Sequence, residues 1–139
     1  KAGADPESRN NEGQTALGRA ALGGHLVAMA TLLDAGAEIE SREANGRTPL
    51  ILAAMAGHEA SLIYLIDRGA DVNARETGTG NTALMLAANR GHIDIVRRLI
   101  ASGADVSARA ADGWTALQAA DMIGNSAIVA ALRAAGAKE

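Results

Sequence analysis

Residues 43–75 read EANGRTPLILAAMAGHEASLIYLIDRGADVNAR. Asn45-Gly46 is a turn pair, favoured where the backbone needs positive φ. Thr48 follows as a helix N-cap and Pro49 as the first helical residue, where its missing N–H costs nothing. Leu50, Ala53 and Ala54 share one helical face at i, i+3, i+4 spacing. Gly57 ends this short helix, since glycine accepts the left-handed conformation at C′. A second helix carries Leu62, Leu65 and Ile66 at the same spacing and closes at Gly69. Ala70-Asp71-Val72-Asn73-Ala74 is predicted to lead out in extended form. The block is therefore turn, helix, turn, helix, extended return.

The block recurs. Thr15, Thr48, Thr82 and Thr115 hold one slot, Gly24, Gly57, Gly91 and Gly124 another, and Gly36, Gly69, Gly103 and Gly136 a third. The steps are 33, 34 and 33 residues in all three series. A fixed period of this size means stacked supersecondary units, each burying its apolar face against the next. TPLILAA at 48–54, Gly57-His58 and Gly69-Ala70-Asp71-Val72-Asn73-Ala74 together resemble the ankyrin repeat. The expected fold is an all-α repeat solenoid of helix-turn-helix units with β-turn or hairpin connections. Its boundaries are 10–42, 43–75, 76–109 and 110–139, with 1–9 matching the tail of a preceding unit. At least one more unit is expected to precede Lys1. The histidine of the family's T-P-L-H motif is replaced throughout, by Gly18, Ile51, Met85 and Gln118, and its proline survives only as Pro49. The third copy carries one extra residue within Thr77-Gly78-Thr79-Gly80, at a loop tip that accommodates it. Gly18, Gly23 and Gly24 crowd the first copy, which should be the softest.

Composition agrees with a thin, close-packed core. Of the 48% hydrophobic residues, 33 are alanine, while Leu, Ile and Val number 28 and Phe is absent. The net charge of −3 is too small to force disorder. A pI of 5.6 argues against nucleic acid as the main partner. The absence of cysteine excludes disulfides, Cys-ligated zinc and thiol nucleophiles. It leaves the compartment open, with the cytoplasm favoured and the periplasm or exterior not excluded. No apolar run approaches the roughly 18 residues needed to span a membrane.

The fourth copy breaks the pattern in two apolar slots, with Asp121 where Ala21, Ala54 and Ala88 stand and Arg133 where Leu33, Ile66 and Ile100 stand. Buried charges are costly, so this copy is expected to be a C-terminal cap. A buried Asp121–Arg133 pair is the rival.

No catalytic or metal site is expected, and no cofactor. His25, His58 and His92 recur with the period, and equivalent positions in stacked repeats lie about 8–10 Å apart, too far to share one metal. The resemblance implies a structural hydrogen-bonding role for them between repeats. Glu38, Asp71 and Asp105 are periodic acids, read as structural caps. Gly78-Thr79-Gly80 lacks the Gly-Lys-Ser/Thr of a phosphate loop. The resemblance also places Asn73 where some members of the family are hydroxylated, though no other copy has Asn in that slot.

Function should lie where copies differ, because structural positions must recur. The ankyrin resemblance implies partner binding on a concave face of turn tips and first helices. There the turn slot reads Gln14, Arg47, Asn81 and Trp114, and the late helix slots include Leu22, Met55, Asn89, Arg90, Met122 and Ile123. Trp and Arg are enriched among binding hot spots, and Met suits adaptable contacts. The chain is thus expected to be a monomeric, non-catalytic module holding a protein or peptide. Alternatives are a scaffold segment of a larger enzyme, channel or effector, an engineered binder, or an enzyme in its own right.

Overall fold

The computed structural model describes residues 8–138. The first seven residues of the segment read as a preceding repeat's tail lie outside that range. The described residues form eight helices and no strands. They pair as α1 (Ala16–Gly23) with α2 (Leu26–Asp34), and α3 (Pro49–Ala56) with α4 (Glu59–Asp67). The next pairs are α5 (Ala83–Arg90) with α6 (Ile93–Ala101), and α7 (Ala116–Met122) with α8 (Ser126–Ala134). The odd-numbered helices stack on one another as an inner layer, and the even-numbered ones form a looser outer layer. This is the all-α solenoid the period predicts.

The punctuation works as the residue types require. Thr15, Thr48, Thr82 and Thr115 each accept a hydrogen bond from the backbone N–H three residues on. Gln118 reaches back to Thr115 N–H at 3.0 Å and completes a capping box. Gly57 closes α3 at φ +80, a conformation that costs a residue with a Cβ roughly 1–2 kcal/mol. Alanine dominates the inner-helix contacts, with Ala53, Ala54, Ala87 and Ala88 fully buried. Leu50, Leu62, Leu65, Leu84, Leu99, Leu117 and Leu132 fill the space between layers. Losing one such leucine to alanine costs about 2–5 kcal/mol.

His58 and His92 each pack against the preceding repeat, while the His25 ring lies against Gly23 of its own. His92 Nε2 donates to the Met55 carbonyl at 3.1 Å. Its ring lies under Gly57, where a Cβ would come within 2.8 Å of it, and the His58 ring lies likewise under Gly24. The fourth copy has Asn125 instead, which accepts from Ile128 N–H at 3.1 Å and caps α8.

Segment 70–74 departs from the extended form predicted for it. Asp71 Oδ1 accepts from Asn73 N–H at 2.9 Å, and Asp105 Oδ1 accepts from Ser107 N–H at the same distance, so each segment closes into a tight turn. A short side chain that can cap its own backbone wins over extension. Glu40 Oε2 then accepts from Asp71 N–H at 2.6 Å, and Asn73 Oδ1 from Asp105 N–H at 2.8 Å, clipping each turn to the next. Asn73 is therefore engaged in inter-repeat structure.

A second periodic series runs along the turn edge. Arg9, Arg42, Arg75 and Arg109 each donate through Nη1 to the carbonyl of their own turn, at Gly13, Gly46, Gly80 and Gly113, over 2.6–3.1 Å. Arg42 and Arg75 also donate to the carbonyls of Arg75 and Arg109, at 2.6 and 2.7 Å. The inserted residue of the third copy extends its turn without shifting the helices, and Thr79 carbonyl accepts from Ala111 N–H at 2.8 Å.

Asp121 and Arg133 are both exposed, so the buried-pair alternative does not occur.

Candidate functional site

The turn slot divides in two. Gln14 is held by Asn10 and Arg19. Arg47 and Asn81 both turn inward onto Glu76, a buried carboxylate at the start of the third copy's exposed turn, where Thr79 Oγ1 also donates at 2.6 Å. Burial pushes the Glu76 carboxyl up, but the hydrogen bonds from Thr79, Arg47 and Asn81 outweigh it and hold it below the usual carboxylate range. Arg47 thereby ties the second copy to the third, and Asn81 pins Glu76 within its own turn. Trp114 has no such anchor: its N–H donates to Asp112 Oδ1 at 3.1 Å, and its side chain leaves the residue 41% exposed.

The late helix slots divide in the same way. Met55 is only 8% exposed, covered by the repeats on either side, and so does not offer the contact surface expected of it. Leu22, Asn89 and Arg90 are exposed, as are Met122, at 68%, and Ile123. Of the ten residues expected at the site, Asn89, Trp114 and Met122 come together. With Asp112 and Ala119 they line a depression of about 230 Å³ between the third and fourth copies. Asp112 carries the local charge and is not among the residues the sequence singles out. Its place two residues before the only tryptophan was the available signal.

A larger depression, about 330 Å³, lies on the outer layer among Glu59, Asp94, Arg97, Arg98 and Ala101. Its charges partly neutralise one another, with Arg98 and Glu59 at 3.9 Å, and no aromatic or large apolar side chain enters it. Among the described residues no group of three His, Asp or Glu side chains is placed to hold a metal, and no helix is long and apolar enough to cross a membrane.

At the turn edge, Glu43 occupies the slot that Glu76 holds one repeat later. Its Oε2 is buried without a hydrogen-bond partner, filling the space above Gly18 that any larger residue would take. Burial raises its carboxyl above the ordinary value, outweighing a hydrogen bond from the Thr15 backbone and the charges of Arg19, Arg9 and Arg47.

The family model described as ankyrin repeats (3 copies) matches residues 2–76, and that described as ankyrin repeats (many copies) matches residues 65–120. The chain belongs to the ankyrin repeat family. Ankyrin repeats are generally protein-interaction modules and typically non-catalytic. No curated protein matches the chain as a relative. Within this ankyrin array the exposed residues of the candidate set are Leu22 on the first copy, Asn89 and Arg90 on the third and Trp114, Met122 and Ile123 on the fourth, and the second contributes mainly structure.

Proposed function

We propose that this ankyrin array is a non-catalytic module that binds a protein or peptide along its turn tips and inner helices. The observation that carries this reading is the state of the Leu22, Met55, Asn89, Met122 slot. Its interior methionine is packed away, while Leu22 in the first copy and Met122 in the fourth face solvent, the latter beside exposed Trp114 and Ile123. Large apolar groups beside polar ones, left open in a groove, form the core and rim of an interface. The two remaining large apolar residues in the open, Leu26 and Val27, stand at the start of α2 on the outer layer. The test is capture of a partner from the native source, its identification, and calorimetry with the purified pair. Trp114→Ala together with Met122→Ala should weaken binding at least tenfold, about 1.4 kcal/mol, as loss of a hot spot does. Unchanged affinity would place the interface elsewhere.

A further inference from the structure

The depression between the third and fourth copies has a chemistry of its own. Trp114 offers an aromatic face and Met122 a polarisable, mobile wall. Asp112 spends one oxygen on its own turn, 3.1 Å from Trp114 N, and makes no ion pair among the described residues. The Asn89 carboxamide, on the facing copy, makes no hydrogen bond there either. An apolar floor, an aromatic face, a carboxylate with an open acceptor and an amide oxygen form a set complementary to a long cationic side chain. The stem of such a side chain covers apolar surface while its head stays at the wet edge. A guanidinium stacks on an aromatic ring and donates to a carboxylate at once, which an ammonium does less well.

The molecule contains a related arrangement, in which a tyrosine hydroxyl also accepts from the guanidinium at 2.6 Å. On the outer layer the Arg68 guanidinium lies 5.6 Å from the Tyr64 ring centroid and 3.5 Å from Asp34 of the preceding copy. There an aromatic ring and a carboxylate from adjacent repeats hold an arginine supplied by the chain itself. In the depression the ring and the carboxylate are present and no arginine of this chain occupies the place between them: Arg109, the basic residue of that turn, is bound to the Gly113 carbonyl at 3.1 Å. Arg90 follows Asn89 but does not line the depression.

We propose that this depression receives an arginine side chain of the protein partner. The proposal rests on the groove reading above and names the chemistry of one contact within it. The test uses the isotopically labelled chain and three probes: N-acetyl-arginine amide, the neutral isostere N-acetyl-citrulline amide, and N-acetyl-leucine amide. The single tryptophan gives one indole N–H signal, so the readout is unambiguous. Arginine amide should shift the Trp114 indole and Asn89 side-chain signals saturably. It should bind about fivefold more tightly than citrulline amide, the upper range of an exposed ion pair. Asp112→Asn, which keeps the turn's acceptor oxygen, should level the two. Equal binding of all three probes to the wild-type chain would overturn the arginine assignment and leave the groove reading standing. Shifts with none of them would also overturn it. Loss of partner affinity in Trp114→Ala with Met122→Ala tests the groove independently.

Discussion

At the scale of single residues, the buried polar atoms without partners predict their own replacement. Ser61 Oγ is buried and unbonded in a slot held by Ile95 and Ile128 in later copies, and Ser41 Oγ is so in the slot of Ala74 and Ala108. Ser61→Ala and Ser41→Ala should each stabilise the chain by about 1 kcal/mol, because an unsatisfied buried hydroxyl carries its full desolvation cost. A fall in the urea midpoint for either variant would show that the hydroxyl is bonded. The equivalent acids Glu43 and Glu76 titrate in opposite directions. Glu43 has a raised folded-state carboxyl, so the folded state holds its proton more tightly, and stability falls as pH rises from about 4.5 through the folded value. Glu43→Gln should therefore exceed wild type in stability at pH 7, by a margin that shrinks toward pH 4. Glu76 has a lowered carboxyl, so its contribution is complete above about 4.5 and is lost as pH falls through the folded value. Glu76→Gln should lose about 1–3 kcal/mol at pH 7, since Arg47 loses its charged partner, and progressively less in acid. Denaturant titrations at several pH values measure both, and parallel pH profiles for the two variants would contradict the assignment.

At the scale of elements, the histidine rings under Gly24 and Gly57 add a tertiary constraint to a local one. Gly57 and Gly124 both adopt positive φ, +80 and +73, but a Cβ on Gly57 would press on the His92 ring, whereas Gly124 faces open space. Gly57→Ala should cost more than Gly124→Ala, and the excess, on the order of 1 kcal/mol, measures overpacking against the ring. Equal costs in equilibrium unfolding would mean that the ring moves aside freely. The same contrast explains what the sequence could reveal. Threonine caps, glycine stops and the leucine and alanine faces were legible because each depends on residues within one turn of helix. The fate of Arg47 was not, because Glu76 lies 29 residues away and only stacking brings them together. Met55 and Met122 share one slot and one residue type, yet one is buried and the other open, a difference made wholly by neighbours on either side. The turn at 70–74 was misjudged because the capping ability of Asp71 outweighs the extended preference of the valine beside it. The arginine series was visible as a period, but its bonds to backbone carbonyls have no sequence signature.

At the scale of the whole molecule, stability in a stacked array is a sum of repeat and interface contributions. In α2 the only buried residue is Met29, against three each in α4 and α6, and α1 contains two glycines within its span. Amide hydrogen exchange should therefore be fastest in α1 and α2 and slowest in α3 through α6, as local openings follow buried apolar contact. Uniform protection across all eight helices would show instead that the array unfolds as one unit. The arginine series bears on how the intact array moves. Along the turn edge the Arg42 and Arg75 guanidinium groups each bridge their own turn and the next by bonds of 2.6–3.0 Å, whereas the outer helices are linked by ion pairs of 3.5 and 3.9 Å and sparse packing. One edge thus behaves as an inextensible seam and the other as a slack one. Bending of the stack should then take place about the seam from the second copy to the fourth, with the outer helices fanning apart or closing up while the spacing of those turn tips changes least.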